Sequence, residues 1–300
     1  MSQTETEVSR SQAAEVRSLP PITLLIPAYN EERGIGPVLE QVKKLGLPGE
    51  IIVVDDGSTD KTYEAAQIPG ITVLRHDVNR GYGQSLKTGI LASKYDIIVI
   101  TDADGTYPNE DIAKLLSHMQ YYDMVVGART GKTVKIPLIR KPAKKFLNLL
   151  ANYLAGVEIP DLNSGLRVFR KPVAREFFNI LPSGFSFTTT ITLAMLSNGY
   201  RVKYVPIDYH QREGKSKIHP IRDTIGFTNL IVRTTLYFNP LKIFMPLSGF
   251  VFLAALGLLV YSKFMLGRVM DISVIVLLSA ALQIAVIGML ADLIDKRGHR

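Results

Sequence analysis

Ile97-Ile98-Val99-Ile100-Thr101-Asp102-Ala103-Asp104-Gly105 is the stretch that decides the fold. The unbroken apolar and β-branched run reads as a strand buried on both faces, the kind a parallel sheet requires. Two carboxylates and a glycine follow at its carboxyl end, where open α/β sheets bind their ligands. Alternate residues of an extended chain point to one side, so Asp102 and Asp104 are placed to share one divalent cation. Magnesium takes one or two carboxylates and completes its octahedron with water and substrate phosphates, so the pair suits a metal-bound nucleoside diphosphate. The other reading of the same residues is an acidic turn capping the next helix.

The pattern repeats on either side. From Pro21 to about Ala128, strand candidates at Ile22–Ile26, Glu50–Val54, Ile71–Arg75, Asp96–Thr101 and Asp123–Ala128 alternate with helical patterns. This alternation predicts an α/β, Rossmann-like, mostly parallel sheet with helices on both faces. The first strand runs into Pro27-Ala28-Tyr29-Asn30-Glu31-Glu32 and the second into Asp55-Asp56-Gly57-Ser58-Thr59-Asp60. Together with the Asp102 pair, these clusters converge on one sheet edge. Neither Gly34-x-Gly36 nor Gly81-x-Gly83 carries the third glycine of a dinucleotide fingerprint, and no phosphate-loop Gly-Lys-Ser/Thr occurs. A nucleotide bound at this edge is held some other way.

Composition separates the chain into parts. Of 300 residues 47% are hydrophobic, and the apolar excess is concentrated near the carboxyl end. Ile243–Ser262 and Ile272–Ala291 are uncharged runs of 20 residues each, separated only by Lys263–Asp271. As helices each is about 30 Å long, the thickness of a bilayer's hydrocarbon core, which predicts a transmembrane hairpin. Lys296, Arg297 and Arg300 beyond it, and the basic region before it, outweigh Lys263 and Arg268 in the connection, so both termini are expected on the cytoplasmic side. The first eighteen residues are polar and read as a disordered tail with no secretion-signal core. Zero cysteines exclude disulfides, thiolate metal sites and a cysteine nucleophile.

The formal net charge of +8 is clustered. Between Arg129 and Lys145 stand seven basic residues and no acidic one; between Arg201 and Arg222 stand six against Asp208 and Glu213. Such stretches suit phosphorylated substrates or anionic headgroups, and two membrane spans nearby argue against nucleic acid. Lys144–Leu154 is amphipathic at helical spacing and suits the lipid interface or packing on the sheet equally, Ile221–Phe238 is a less clean amphipathic segment, and one or both are expected at the lipid interface. The predicted division is a tail at 1–20, a catalytic α/β domain at 21–219, an interfacial segment at 220–240, two transmembrane helices at 241–294 and a basic cytoplasmic tail at 295–300.

PAYNEE at 27–32, DDGSTD at 55–60, DADGTYP at 102–108, GAR at 127–129, DLNSGLRVFR at 161–170 and REGKSKI at 212–218 occur in this order. The set resembles family 2 glycosyltransferases, and within them the dolichol-phosphate mannose synthase-like polyprenyl-phosphate glycosyltransferases. The resemblance implies a GT-A fold and a metal-dependent hexosyltransferase of the cytoplasmic membrane, with its catalytic domain on the cytoplasmic face. It implies that Asp56 contacts the base or ribose of a nucleotide-sugar donor of the GDP-mannose or UDP-glucose type, with Pro27, Tyr29 and Glu31 lining that pocket. Asp102 and Asp104 would hold Mg2+ or Mn2+ on the donor diphosphate, and Arg129, Arg212 and Lys217 would clamp donor and acceptor phosphates.

Glycosyltransferases of this fold that act on hydroxyl acceptors commonly need a carboxylate base. Here the corresponding region reads Ser186-Phe187-Thr188-Thr189-Thr190, and no acid occurs from Asn179 to Val205. A phosphate monoester, with its second pKa near 6, is already mostly dianionic at pH 7 and needs no base. The expected acceptor is therefore a polyprenyl or dolichyl phosphate in the membrane lipid, glycosylated by direct displacement with inversion. Two other readings stand beside this one: a transferase of the same fold acting on a hydroxyl acceptor in glycolipid or polysaccharide synthesis, and a non-catalytic membrane adaptor.

Overall fold

The computed structural model describes residues 19–130, 149–184, 186–210, 220–265, 267 and 270–298; for 220–225, 227 and 295–298 only the backbone course is described. The amino-terminal half builds β1 (Ile22–Ala28), α1 (Ile35–Lys44), β2 (Gly49–Asp55), α2 (Thr62–Ala65), β3 (Ile71–Arg75), α3 (Tyr82–Ala92), β4 (Ile97–Ile100), α4 (Ile112–Ser117) and β5 (Met124–Ala128). There follow β6 (Arg167–Arg170), α5 (Lys171–Glu176), α6 (Phe187–Ser197), β7 (Val202–Pro206), α7 (Pro220–Phe238), α8 (Leu241–Met265) and α9 (Asp271–Gly298). The seven strands form one sheet in the order β3-β2-β1-β4-β6-β5-β7.

Period-two side-chain alternation divides the core between the two sheet faces. Leu24, Ile26, Val53, Val99 and Val125 pack with Ile35, Val38, Leu39 and Val42 of α1 and Ile112, Leu115 and Leu116 of α4. Leu25, Ile52, Val54, Ile98, Ile100, Met124, Val126 and Phe169 face the other way, onto Leu86 and Ile90 of α3 and Phe187 and Ile191 of α6. With both faces covered, β1 is buried at every position. The five strands expected from the sequence are all present, β3 with the expected ends and the other four with an end shifted by one or two residues.

Two strands were not expected, and one of them runs against the rest. β6 inserts between β4 and β5 and pairs antiparallel with both, Ile100 opposite Arg167 and Val126 opposite Arg167. Because it is reversed, its beginning lies where the parallel strands end. The segment 161–166 is thereby delivered to the ligand-binding edge, while β7 closes the far side of the sheet parallel to β5.

Two long apolar helices follow, α8 and α9, each long enough to cross a bilayer, and their apolar windows are only 6% and 17% buried inside the protein. Helices with so little apolar surface covered are unlike the core helices of a soluble protein. They pack on each other through small residues: the Ser248 hydroxyl donates to the Ala281 carbonyl at 2.7 Å, and a Cβ on Gly288 would stand 2.5 Å from Phe244 Cβ. Close backbone approach of this kind is what holds helices together in lipid. The predicted tail at 1–18 and most of the 129–145 basic run lie outside the described residues.

Phe169 is fully buried at the centre of the reversed strand. Phe169→Ala is expected to destabilise the protein by about 3–5 kcal/mol through lost transfer energy and the cavity left behind. Urea unfolding of the detergent-solubilised protein reads this as a lowered midpoint; an unchanged midpoint would mean that β6 is not integral to the sheet.

Candidate active site

The loops after β1 and β2 are laced together by hydrogen bonds, which uses up much of their polar chemistry. Asn30 adopts a left-handed conformation at φ 55°. Its backbone N–H donates to Ser58 Oγ at 3.0 Å, and its Oδ1 accepts from the Thr59 N–H at 2.9 Å. Glu31 N–H donates to Thr62 Oγ1 at 2.8 Å, and Asp60 accepts from the Thr62 N–H and hydroxyl at 3.0 and 2.5 Å. Burial opposes charge on Asp60, but these hydrogen bonds outweigh it and hold its pKa below the usual carboxylate range. The acids of this edge are in part capping and bracing groups.

Of the expected donor-pocket residues, Pro27 is buried in β1, Tyr29 is 44% exposed beside it and Glu31 is half-buried. Asp56 is buried and hydrogen-bonded within the protein. It is 3% exposed; its Oδ1 lies 2.7 Å from His76 Nδ1 and accepts from the Arg80 N–H at 2.9 Å, while Oδ2 accepts from the Gly81 N–H at 2.8 Å. In this arrangement its carboxylate ties His76 to the Arg80–Gly81 backbone.

Asp102 and Asp104 stand just beyond β4, both half-buried. Asp102 Oδ1 accepts a hydrogen bond from the Tyr82 hydroxyl at 3.1 Å. Asp104 Oδ1 accepts from the Thr106 N–H and hydroxyl at 3.1 and 2.7 Å, an Asx turn that fixes the loop. Gly105 completes the turn at φ 69°, and the Thr101 hydroxyl anchors its base on Asn109 at 2.7 Å.

The 161–166 segment presses on this pair from the reversed strand. A Cβ on Gly165 would lie 2.8 Å from Asp102 Oδ2 and 2.9 Å from Oδ1, so only glycine lets the backbone lie flat against the carboxylate. Gly165 is held there by three ties. Its N–H donates to the Tyr107 hydroxyl at 2.6 Å, the adjacent Ser164 hydroxyl donates to the Gly127 carbonyl at 2.5 Å, and the fully buried Arg167 guanidinium grips the Ser164 carbonyl through Nε at 3.1 Å and through Nη2. Arg167 also donates to the Thr188 carbonyl at 3.0 Å and to Thr192 Oγ1 at 3.1 Å, joining the segment to α6. Burial, reinforced by the Asp102 charge, pushes the Tyr82 and Tyr107 phenols well above their ordinary pKa. Both remain protonated, so Tyr82 is a standing donor to Asp102.

Arg129 is committed within the protein. Its Nε and Nη2 form a two-pronged pair with Asp161 Oδ2 and Oδ1 at 2.7 and 2.9 Å, its own N–H adds a third bond at 3.0 Å, and its guanidinium lies 5.3 Å from the Tyr209 ring centre. Burial disfavours both charges, yet their mutual hydrogen bonds win, lowering the Asp161 pKa and raising that of Arg129. The resemblance implies a phosphate-clamping role for Arg129; in the structure two of its five guanidinium N–H groups go to Asp161. Arg212 and Lys217, the other expected clamps, lie outside the described residues.

Asp102 thus has about it Tyr82, Tyr107 and Gly165, which the sequence reading did not single out, and Asp104 follows two residues on in the same loop. Tyr82 sits inside the Gly81-x-Gly83 pattern, whose glycines answer to packing: a Cβ on either would come within 2.6 and 2.2 Å of the Ser183 and Pro182 carbonyls. Among the described residues no cluster of three or more His, Cys, Asp or Glu side chains forms a metal cage. Two carboxylates without such a cage match the donor set of a cation that takes its remaining ligands from water and a diphosphate.

Residues 23–178 match the glycosyl transferase family 2 model, and residues 239–296 match the GtrB C-terminal hairpin. The dolichyl-phosphate hexose transferase of Haloferax volcanii is 30% identical over 217 residues, covering 72% of this chain and 94% of that protein. The undecaprenyl-phosphate mannosyltransferase of Micrococcus luteus is 30% identical over 211 residues, covering 66% of this chain and 87% of that protein. Among solved structures, glucosyl-3-phosphoglycerate synthase from Mycobacterium tuberculosis, in complex with Mn2+, uridine diphosphate and phosphoglyceric acid, superposes with a TM-score of 0.56 at 20% identity, covering 76% of this chain and 81% of that one. That likeness bears on the GT-A-like fold alone. With a family match over more than half its length and relatives named for sugar transfer to polyprenyl and dolichyl phosphates, the chain belongs to glycosyl transferase family 2 and carries a GtrB C-terminal hairpin.

Proposed function

We propose that this protein is a membrane-anchored, inverting hexosyltransferase that moves one hexose from a nucleoside diphosphate sugar to a polyprenyl phosphate at the cytoplasmic face. The observation that carries the acceptor assignment is the chemistry of α6. Its Thr188, Thr189 and Thr190 are buried, and Thr189 Oγ1 donates to Asn163 Oδ1 at 2.5 Å, on the same segment that presses on Asp102. Hydroxyls at this position cannot serve as a general base near pH 7. A phosphate oxygen needs none: it attacks the anomeric carbon, the bond from that carbon to the diphosphate oxygen breaks, and the electron pair leaves with the nucleoside diphosphate.

Asp102 and Asp104 would hold the divalent cation, which when bound neutralises charge on the departing diphosphate. Tyr82 keeps the Asp102 carboxylate in one rotamer, and Gly165 walls it on the other side. Arg129 fixes Asp161 and the start of the 161–166 segment, and stands with Arg212 and Lys217 as a candidate phosphate-binding cation. The proposed domain division keeps the catalytic part at 21–219 and assigns 220–240 to the interface.

Attachment to the bilayer supports a lipid acceptor. Residues 149–155 are helical, and their exposed Leu149 and Tyr153 accompany exposed Leu236 and Tyr237 at the end of α7. Lys242, at the start of α8, donates from Nζ to the Leu154 carbonyl at 2.8 Å, and the Tyr153 hydroxyl donates to the Lys242 carbonyl at 3.4 Å. Aromatic and aliphatic groups beside the first turn of an apolar helix suit the headgroup zone. Basic residues beyond the second span favour the cytoplasmic side for the catalytic part.

Purified protein with Mn2+ or Mg2+ and a panel of guanosine and uridine diphosphate sugars is expected to yield a polyprenyl-phosphate hexose, read by the mass of the lipid, and no product from unphosphorylated polyprenol. Product from polyprenol, or no lipid product with any donor, would overturn the assignment. Asp102→Asn and Asp104→Asn are each expected to lower kcat/KM by about 10²-fold or more, in line with losing a preorganised electrostatic group, with Tm nearly unchanged. Retained turnover in both would dissociate the pair from catalysis. Gly165→Ala drives a methyl against Asp102 and is expected to cost about 10²-fold in turnover, the scale of a 1 Å misplacement, while the protein still folds. Wild-type kinetics in that variant would show the contact to be unimportant.

A further inference from the structure

His76 lies at the end of β3, outside the motifs that carry the family likeness, and is 6% exposed. Both ring nitrogens are engaged: Nδ1 is 2.7 Å from Asp56 Oδ1 and Nε2 is 2.9 Å from Thr88 Oγ1 on α3. Its own N–H donates to the Asp55 carbonyl at 2.9 Å. A buried imidazole held at both nitrogens cannot rotate, so it fixes the carboxylate against which it rests.

Asp56 passes that constraint on. The same Oδ1 accepts from the Arg80 N–H at 2.9 Å, and Oδ2 accepts from the Gly81 N–H at 2.8 Å. These two bonds pull the 80–81 backbone down onto the end of β2. From above, the Gln84 N–H donates to the Ser183 carbonyl at 3.0 Å, and Gly81 at φ 97° leaves no room for a side chain beneath that carbonyl. The next residue is Tyr82, whose hydroxyl donates to Asp102 at 3.1 Å. A shift of the Gly81 backbone therefore moves the phenol that orients the proposed metal ligand.

We infer that His76 is a positioning residue for the transfer reaction: through Asp56 it holds the Arg80–Gly81 backbone so that Tyr82 keeps Asp102 in its metal-binding orientation. Its catalytic consequence rests on the metal and donor role proposed above for Asp102. The link from His76 to the 80–82 backbone needs no ligand and is tested separately.

Three substitutions in the full-length protein separate the contacts. His76→Asn places an amide nitrogen close to the position of Nδ1 and retains a donor toward Asp56; His76→Gln reaches instead toward Thr88; His76→Phe keeps a ring and removes both contacts. Amide hydrogen exchange of the peptide spanning Arg80–Tyr82 is expected to quicken about tenfold or more in the Phe and Gln variants and to stay near wild type in the Asn variant. In the transfer assay the Phe and Gln variants should need about 10-fold more Mn2+ for half-maximal rate, the scale of losing an outer-shell partner, with Asn rescuing. Tyr82→Phe should reproduce the Mn2+ shift without the change in exchange. Unchanged exchange in His76→Phe, failure of His76→Asn to rescue, or a Mn2+ requirement that merely follows Tm across the variants would overturn the inference. If wild-type protein transfers no sugar to polyprenyl phosphate, the functional reading falls, while the exchange comparison still decides whether His76 holds the 80–82 backbone.

Discussion

The Asp102 carboxylate is the point on which the architecture converges. It ends a strand buried on both faces, takes the Tyr82 hydroxyl on one side and is pressed by the Gly165 backbone on the other. Each neighbour comes from a different layer. Tyr82 opens a helix packed on one sheet face, Tyr107 belongs to the turn after β4, and Gly165 precedes a strand that runs backwards into the sheet. A carboxylate confined in this way is preorganised, and the cost of ordering it is met during folding instead of during the reaction.

The reversed strand explains why the site is built from remote sequence. In an all-parallel sheet only strand ends and the loops that follow them reach the ligand edge. An antiparallel insertion adds a strand's beginning, so 161–166 arrives beside Asp102 without a helix to carry it. The buried Arg167 pins this segment to α6 through carbonyl and hydroxyl partners. Burial pushes its guanidinium pKa down from the ordinary value, a penalty tolerable only because the fork finds acceptors in the interior.

What could be read from the sequence follows the range of the forces involved. β1 to β5 were legible because each is a short apolar run with turn chemistry at its end, and the apolar hairpin because hydropathy needs no partner to be recognised. β6 was not, since Arg-Val-Phe-Arg is too short and too charged at its ends to signal a buried strand; Arg167 becomes buried only through carbonyls supplied by 164 and 188. The acidic pair at 102 and 104 was visible as a local pattern. Tyr82, Tyr107, His76 and Asp161 were not, because a tyrosine or histidine acquires a role here only from a neighbour distant in sequence. Asp56 and Arg129 show another side of this: each stands in the expected motif, and each also makes several hydrogen bonds within the protein that the sequence did not announce.

That last point constrains the electrostatics of the proposed reaction. A departing diphosphate and an incoming phosphate bring several negative charges together, and like charges in a site partly shielded from water repel strongly. Arg129 gives two of its five guanidinium N–H groups to Asp161, and the pair as a unit is neutral. Lys87, another cation on the sheet's helical cover, is likewise occupied, by the Phe178 and Leu181 carbonyls. Neutralisation in the proposed reaction draws on the cation proposed for Asp102 and Asp104 and on the basic segment around Arg212 and Lys217. In the sequence that segment lies between β7 and α7 and so leads to the apolar hairpin, which puts the basic residues proposed for the lipid phosphate and the helices proposed to reach the lipid on one continuous stretch of chain.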